Sequence, residues 1–316
     1  MLKLSLIIVS LVGGKSLVKF LESLNSLQNA LLSDEQNNLT IEKIVFTVPG
    51  KCNLSELKKQ FPTIQFIDKE TLSVPIARKK GVELATGDVV ALLEDTSLPG
   101  PKWFKAVIDA FSDDVVALGG PVELSSNLTG HYLALGCGEY GRFHPVLYPQ
   151  LVTDNVDKAE KALIPVSRLP GNNLAYRRET VKTILAGSEL GLIEAAVNET
   201  LQAAGHSLYL QPDMVVSYQA ADVKGAKLKT RFNHGRLFAG NRVSGLSWST
   251  RLSWFAKSAL LPVVLTLRGW SNMRHAVRPV SWPSVMLWIV LMESSWSLGE
   301  AVGYLFGAGR SLDAWS

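Results

Sequence analysis

The chain has 316 residues, which is enough for one large α/β domain and an additional element. Its formal net charge of +4 is modest and no nucleic-acid motif is present, so neither charge nor motifs support nucleic-acid binding. Two cysteines, Cys52 and Cys137, fit a reducing compartment and argue against a disulfide framework. The mean hydropathy of +0.15 is high for a soluble protein, and the apolar excess lies after Arg251.

The N-terminal part of the chain alternates between short apolar runs and segments with helical periodicity. The apolar runs predict strands at 4–10, 41–48, 64–67, 89–93 and 115–118. The helical periodicity predicts helices at 17–32, 54–61, 76–85 and 103–111. This alternation predicts a parallel sheet with right-handed crossovers, in which ligands bind at the carboxyl ends of the strands. No G-x-G-x-x-G motif follows the first strand, which argues against a simple dinucleotide-binding domain.

The predicted strand 89–93 ends abruptly in charge. Glu94 and Asp95 follow it directly, then Thr96, a turn rich in proline and glycine, and Trp103 at the start of the next helix. Acids at the carboxyl end of a buried strand lie where open α/β sheets bind their ligands. The alternative is a capped strand end with a solvated pair of acids.

Periodicity weakens between 123 and 167, which predicts a long irregular loop. Such a loop is either a lid or binding loop, or a surface insertion. The next motif begins with Asn172 and Asn173 and ends with Arg177 and Arg178. Asparagine amides both donate and accept hydrogen bonds, which suits a polar ligand. The alternative is a turn followed by a solvated pair of arginines.

A helix is predicted from Glu194 to about 204. The helix dipole favours the ionised form of a carboxylate at this end, and a general base must be ionised. The alternative is an ordinary acidic residue at a helix N-terminus.

The C-terminal part combines basic and apolar segments. Residues 226–243 predict a basic amphipathic helix, either a diphosphate clamp or a membrane-surface element. Apolar segments at 252–267 and 282–306 approach the ~20 residues that span a bilayer. The arginines between them favour interfacial or re-entrant helices over two full spans. The alternative is a soluble helical subdomain or an oligomer interface.

A series of motifs carries a resemblance to a known family. The motifs are Pro75-Ile76-Ala77-Arg78-Lys79-Lys80-Gly81, Ala85-Thr86-Gly87-Asp88, the acidic strand end, Gly119-Gly120-Pro121, the stretch 170–178 and the stretch 204–212. Their order and spacing resemble inverting family 2 glycosyltransferases of the GT-A fold, over roughly 2–217, and 298–307 is similar to the C-terminal segment of membrane-associated members. The resemblance implies a Rossmann-like, mostly parallel sheet flanked by helices, with a C-terminal helical membrane-associated module.

The resemblance also implies domains and partners. We expect a transferase domain at 1–221, a basic amphipathic connector at 222–251 and a hydrophobic membrane module at 252–316. The donor would be a nucleotide-diphosphate sugar, and the acceptor a lipid-linked or growing glycan. The protein would be membrane-associated, with its catalytic domain in the cytoplasm and no nucleic-acid partner.

The resemblance gives each candidate site residue a role. Glu194 would be the catalytic base, and Asp95 a metal ligand. The donor-binding residues would be Arg78, Glu94, Asp95 and Thr96. The donor and acceptor pocket would be lined by Asn172, Asn173, Arg177, Arg178 and Trp103. The candidates for a diphosphate clamp are His234 and Arg236.

Three positions depart from the family pattern. Thr96 replaces the last acid of the family's Asp-Asp-Asp motif, Tyr218 replaces a frequent histidine, and Ile193 replaces the acid that pairs with the base. A hydroxyl is a poor substitute for a carboxylate on Mg²⁺ or Mn²⁺, so we expect divalent-cation binding that is weak or depends on the donor. The alternative is a degenerate, non-catalytic subunit that binds a partner at the membrane. A soluble nucleotide-binding protein with an oligomerising tail is a third reading.

Overall fold

The computed structural model describes residues 2–33, 40–68, 72–111, 114–128, 130–147, 163–219, 227–276 and 282–311. The chain divides into two compact units. The first, called here the α/β unit, comprises Met1–Ser125 and Phe143–Ala221. The second, called here the helical unit, comprises Ser126–Arg142 and Asp222–Ser316. The predicted connector and membrane module lie together in the helical unit, which also takes in 126–142, a segment predicted to belong to the transferase domain.

The α/β unit contains eleven strands within its described residues. They are β1 Lys3–Val9, β2 Thr40–Thr47, β3 Gln65–Asp68, β4 Val89–Glu94, β5 Ser97–Pro99, β6 Ala117–Gly119, β7 Val122–Leu124, β8 Ile164–Val166, β9 Asn173–Arg177, β10 Leu208–Leu210 and β11 Val216–Tyr218. Eight form a sheet of order β3-β2-β1-β4-β9-β6-β10-β8, and β5-β11-β7 form a smaller sheet. The predicted fold class is confirmed, since the pairs that join β1, β2, β3 and β4 are parallel.

The helices of the α/β unit cover this sheet. They are α1 Gly14–Leu32, α2 Leu54–Gln60, α3 Val74–Leu84, α4 Trp103–Ala110, α6 Arg178–Leu185 and α7 Glu194–Ala203, together with a short 3-10 helix at Pro145–Leu147. Apolar spacing explains their docking, because Leu17, Phe20, Leu21 and Leu24 form one buried stripe on α1. Central strands β1 and β4 are buried almost throughout, which fits their predominantly apolar sequences.

The helical unit is built from α5 Gly130–Glu139, α8 Lys227–Arg242, α9 Trp248–Ser258, α10 Leu261–Ala276 and α11 Trp282–Phe306. Helices α8 and α11 run side by side in the same direction. Glycines let their backbones touch, because a side chain at Gly299 would overlap the Phe232 carbonyl and one at Gly303 would overlap the Arg236 carbonyl. Within the described residues, α11 is the one helix long and apolar enough to cross a membrane, although 39% of its most apolar window is buried inside the protein.

The structure differs from the predicted elements in several places, including β5, which forms where a turn was predicted. The weakly periodic stretch 123–167 contains β7, α5 and β8, while its residues 148–162 lie outside the described part of the chain. A helix not predicted, α6, follows β9 directly. The apolar segment 252–267 is not continuous, because α9 ends at Ser258 and α10 starts at Leu261, with Pro262 in its first turn. The start of the predicted basic helix, residue 226, also lies outside the described residues.

Candidate active site

The site is built where β1 and β4 end side by side. The parallel register places Val9 opposite Glu94, so the loop that follows β1 lies next to Asp95. Both Glu94 and Asp95 are buried, which excludes the alternative of a solvated pair of acids at this strand end. This is the edge of the sheet at which the acids were predicted to bind a ligand.

Asp95 holds the loop after β1. Its carboxylate accepts hydrogen bonds from the Ser10 hydroxyl at 2.6 Å, from the Leu11 amide at 2.8 Å, and from the Gly13 amide at 3.0 Å. The Val12 amide lies 3.2 Å from the same group. Gly13 has a φ of 73°, a left-handed conformation that favours glycine and turns the chain into α1. Both oxygens of Asp95 are therefore occupied by the protein itself.

Arg78 joins two of the predicted acids. From α3 it donates to Glu94 at 2.7 Å and to Glu194 at 3.2 Å, and its guanidinium also donates to the carbonyl of Gly171 at 2.8 Å. The Arg78 side chain is 4% exposed, so these charges interact in a medium that screens them little. Its Nε is buried, and no described residue accepts from it. Residues from α3, β4 and α7 therefore meet at one point.

Glu194 is positioned by the chain on both sides of it. It is the first residue of α7, and Gly191, three residues earlier, has a φ of 82° and lies against the Pro75 backbone with no room for a side chain. A side chain at Gly171 would meet the Glu194 carboxylate at 2.7 Å. The Glu194 side chain remains 26% exposed, so a ligand that approaches from solvent can reach its carboxylate. The geometry thus presents an ion-paired but accessible carboxylate.

A second contact fixes α7 against the sheet. Tyr176 of β9 is fully buried and donates to the side chain of Asn198 at 2.8 Å, one turn along α7 from Glu194. Burial, with the charge of Glu194 adding to it, raises the pKa of Tyr176, so the phenol stays protonated and can donate. This pair was not predicted from the sequence.

Thr96 and Asn172 lie beside the acids. The Thr96 hydroxyl is 3.4 Å from the second oxygen of Glu94. Asn172 donates to the Ser97 hydroxyl at 2.7 Å, and its own carbonyl oxygen is buried with no hydrogen-bond donor among the described residues. Ser97 was not predicted as part of the site, since a serine in a short turn gives no signal of its own.

Asn173 and Trp103 are tied to each other. Trp103 is fully buried and donates from its indole to the side-chain oxygen Oδ1 of Asn173 at 2.9 Å. The side-chain nitrogen Nδ2 of Asn173 donates to the backbone carbonyls of Pro121 at 3.1 Å and Met214 at 2.6 Å. Ligand contact would require breaking these bonds, so the geometry favours structural roles. Their assignment to the pocket stays a prediction.

Arg177 and Arg178 lie at the other end of the sheet. Strand β9 is antiparallel to β4, and its register pairs Arg177 with Val89 and Asn173 with Leu93. These two pairs are four residues apart, which is about 13 Å along the strand. Arg178 donates to the Gly87 carbonyl at 2.7 Å, before β4 begins. The structure therefore does not bring these arginines to the acidic cluster.

His234 and Arg236 belong to α8 of the helical unit. Burial and the charge of Arg231 lower the pKa of His234 to about 3, so its imidazole is neutral at pH 7 and supplies no charge to a diphosphate. Arg236 donates to the Gly307 carbonyl at 3.1 Å. Their role as a diphosphate clamp stays a prediction.

The arrangement does not fit a resident metal ion. Among the residues that the structure describes, no group of three or more His, Cys, Asp or Glu side chains could hold one. Direct ligation by Asp95, as predicted, would displace the hydroxyl and amide donors that shape the loop after β1. Glu94 is likewise engaged by Arg78. The predicted role of Asp95 as a metal ligand is therefore not supported by this geometry.

Comparison with known proteins gives a local sequence match and a global fold match. No model of a known protein family matches the chain. A 55-residue segment is 40% identical to glucosyl-dolichyl phosphate glucuronosyltransferase of Haloferax volcanii, a match that spans 17% of this chain and 18% of that protein.

One solved structure has a similar fold over most of the chain. The mannosyltransferase PcManGT of Pyrobaculum calidifontis, solved with GDP-Man and Mn²⁺, has a TM-score of 0.53 at 12% identity, with 96% of this chain and 87% of that chain covered. S. aureus TarS 1–349 has a TM-score of 0.49 at 15% identity, with coverage of 99% and 83%. At such identities the structural likeness shows the fold alone. The predicted resemblance to GT-A-type glycosyltransferases is confirmed: the chain is similar in fold to a mannosyltransferase, and a 55-residue segment is similar in sequence to a glucuronosyltransferase.

Proposed function

We propose that the α/β unit is an inverting glycosyltransferase that moves a sugar from a nucleotide-diphosphate sugar to an acceptor hydroxyl. The observation that carries this proposal is the Arg78 bridge between Glu94 and Glu194. It places an accessible carboxylate beside a buried cation at the carboxyl ends of the strands, where α/β sheets of this type bind ligands.

In the proposed reaction Glu194 takes the proton of the acceptor hydroxyl as its oxygen attacks the anomeric carbon. The new glycosidic bond forms on the face opposite the diphosphate. The bond from the anomeric carbon to the diphosphate oxygen breaks, and the nucleoside diphosphate leaves with the electron pair. Arg78 holds Glu194 in position through one carboxylate oxygen, Oε2.

The donor is proposed to bind against the loop at 10–13 and the end of β4. Asp95 fixes that loop, and Arg78 gives the crevice a cation that can stabilise the leaving diphosphate. A divalent cation, which suits a diphosphate, would enter with the donor, because the protein's own acids are already engaged. The mannosyltransferase solved with GDP-Man and Mn²⁺ supports a dependence of this kind.

The acceptor is proposed to be a lipid-linked or growing glycan at a membrane. The relative from Haloferax volcanii acts on glucosyl-dolichyl phosphate according to its name, which supports a lipid-linked acceptor. Helix α11 is the candidate membrane anchor. Its Glu293 and Glu300 are buried within the helical unit, as acids in such a helix require. A cytoplasmic orientation of the α/β unit completes the proposal.

One observation favours a second function. Thr96 replaces an acid, and both oxygens of Asp95 accept hydrogen bonds from the protein. The end of β4 therefore has few oxygen ligands available for a metal ion. A non-catalytic subunit that keeps the fold and binds a partner enzyme at the membrane would show this pattern. Such a subunit would give no turnover with any donor.

A thermal-shift screen tests donor binding. Nucleoside diphosphates and their sugar conjugates would be added to the full chain with and without Mn²⁺. A ligand at a hundred times its Kd stabilises the folded state by about 2.7 kcal/mol. We expect one nucleotide series to raise the melting temperature, with Arg178→Gln, at the far end of the sheet, as a matched control for Arg78→Gln.

Each outcome of the screen has a clear meaning. Binding that Arg78→Gln weakens and Arg178→Gln leaves unchanged supports the proposed site. The same donor, incubated with lipid-linked and glycan acceptors, then separates the enzyme from the non-catalytic subunit by release of nucleoside diphosphate. A screen in which no nucleotide shifts the melting temperature contradicts the transferase and favours the non-catalytic subunit.

A further inference from the structure

The segment 223–292 is strongly biased in charge. It contains eleven Lys and Arg residues and no Asp or Glu, whereas the rest of the chain has twenty-one Lys and Arg against twenty-eight Asp and Glu. The modest net charge of the whole chain conceals this segregation. A block of one sign attracts a surface of the opposite sign.

Helix α9 turns an apolar face away from the unit. Trp248, Leu252 and Phe255 are exposed, and their spacing of four and three residues places them on one side of the helix. Trp254 points the other way, against a buried cluster of α8 and α11 that includes Tyr304. The helix is therefore packed on one side and apolar on its open side.

Helix α10 repeats this arrangement. Its inner side packs on neighbouring helices: Gly269 lies against Ile289 of α11, and Asn272 donates to the Cys137 carbonyl of α5 at 3.0 Å. The opposite side carries exposed apolar residues at helical spacing, which begin in the turn before the helix. They are Leu260, Val263, Val264 and Leu267.

Neither helix is long enough to cross a bilayer. Helix α9 has 11 residues, or about 16 Å, and α10 has 16 residues, or about 24 Å, against a hydrocarbon core of about 30 Å. Helices that expose an apolar face bordered by Lys and Arg side chains are typical of segments that lie in the plane of the membrane interface. Cations border these faces: Arg251 stacks near Trp248 at 5.9 Å, and Arg268 and Arg274 are exposed on α10.

We propose that the exposed apolar residues of α9 and α10, called here the lipid face, lie in the plane of an anionic phospholipid surface. Arg251, Arg268 and Arg274 would contact the lipid phosphates. The inference deepens the membrane association of the proposed function, and it concerns lipid binding rather than transfer. A second copy of the chain is a poorer occupant, because a two-fold contact would bring cations of the same block together.

Flotation of the full chain with vesicles tests this inference. Wild type should float with phosphatidylcholine vesicles that contain phosphatidylglycerol, and more weakly with phosphatidylcholine alone. Each cation near an anionic surface contributes about fivefold to binding. The preference should shrink at about 1 M salt, where the Debye length is ~3 Å. If wild type binds equally to both kinds of vesicle, the proposed preference for anionic phospholipid is wrong.

Two matched sets of variants separate the apolar and the charged contributions. Val263→Glu with Leu267→Glu should reduce binding to both vesicles by about tenfold or more. Leu84→Glu is the control, because Leu84 is an exposed apolar residue of α3 in the α/β unit. Arg251→Gln with Arg268→Gln should reduce only the preference for phosphatidylglycerol. Binding of the Val263→Glu, Leu267→Glu variant at the wild-type level overturns the lipid face.

Two further readouts keep the outcomes distinct. The thermal shift by nucleotide, measured on the same variants, should match wild type and shows that each variant is folded. If nucleotides do not raise the melting temperature of wild type, the result counts against the transferase proposal and not against lipid binding. If the lipid-face variants change the sedimentation mass of the protein instead of its flotation, the face is a contact between copies and the inference is wrong.

Discussion

The two units of this protein contain the same charged arrangement in different surroundings. In the α/β unit, Arg78 bridges Glu94 and Glu194. In the helical unit, Arg231 bridges Glu139 and Glu293 at 2.8 and 3.0 Å. In each cluster the arginine is about 5% exposed, one acid is buried, and the other acid is about a quarter exposed.

What surrounds each cluster differs. The Arg78 cluster lies at strand ends, beside the amide-lined loop at 10–13, and its accessible acid starts a helix. The Arg231 cluster lies among helices, and its guanidinium stacks on Trp296 at 4.5 Å. A buried ion-pair triad is therefore not in itself a sign of a reaction centre. The position at the carboxyl ends of the strands distinguishes the Arg78 cluster as a candidate site from the Arg231 cluster.

The largest expected effect tests the packing role of the Arg231 cluster. Arg231→Met should lower the free energy of unfolding by about 3–5 kcal/mol, because it leaves two acids without their cation. Urea unfolding followed by tryptophan fluorescence measures the loss. Adding Glu293→Met should restore much of the stability, since it removes the more buried acid. A loss under about 1 kcal/mol in the single variant would mean that the cluster is solvated.

The next effect tests the reactive role of the Arg78 cluster. Glu194→Gln should lower turnover about a hundredfold or more, equivalent to about 2.7 kcal/mol, while donor binding stays near wild type. Glu139→Gln, the corresponding change in the helical unit, should leave turnover unchanged. Nucleoside diphosphate release measures both. If Glu194→Gln turns over normally, the base lies elsewhere, and Glu189 is the nearest other candidate.

A smaller effect concerns the metal. Donor-free wild type should bind no Mn²⁺ in the micromolar range, because Asp95 and Glu94 are engaged by the protein. Thr96→Asp should strengthen Mn²⁺ binding at least about tenfold, since it adds a hard anionic ligand at the strand end. Calorimetric titration measures it. Asp95→Asn should weaken nucleotide binding more than Glu94→Gln, because it loosens the loop after β1. Micromolar Mn²⁺ binding that survives Asp95→Asn would refute this arrangement.

The smallest effect is a pH dependence of the helical unit. His234 has a pKa of about 3 in the folded protein against an ordinary value of 6.5, so the unfolded chain binds the extra proton first as pH falls. The stability that neutral His234 contributes is fully present above pH 6.5 and is lost as the pH drops toward 3. At pH 6 the free energy of unfolding should be lower by roughly 1 kcal/mol. His234→Asn should flatten this slope in melting curves at pH 8 and 6. An unchanged slope assigns the dependence to other groups.

The position of the site could be predicted from one sequence pattern, a strand that ends in acids. The apolar run of β4 ends in acids, and the structure indeed places both at the ligand edge of the sheet. The 25-residue helix α11 was also predicted, because its largely apolar composition is evident without tertiary information. The bridge between Glu94 and Glu194 could not be predicted, because Arg78 is separated from them by 16 and 116 residues.

The misplaced elements have physical causes. The sheet was predicted to be parallel, but β9 is antiparallel to β4. This direction places Arg177 at the far end of the sheet. Helix α5 contains three glycines and therefore has weak local propensity. Tertiary contact explains part of that composition, since a side chain at Gly138 would meet the Glu293 carboxylate at 2.5 Å. Periodicity alone does not report such contacts.

The hydrogen bonds that Asp95 accepts from the loop at 10–13 affect the order in which the protein folds. The donors lie 82 to 85 residues earlier in the chain, so the loop at 10–13 takes its shape only when β1 and β4 have paired. Such non-local contacts form late, after the entropy of closing a long loop has been overcome. Amide exchange at Leu11 and Gly13 should therefore follow opening of the whole sheet rather than local fraying. A nascent chain that ends before Asp95 lacks the group that shapes the loop.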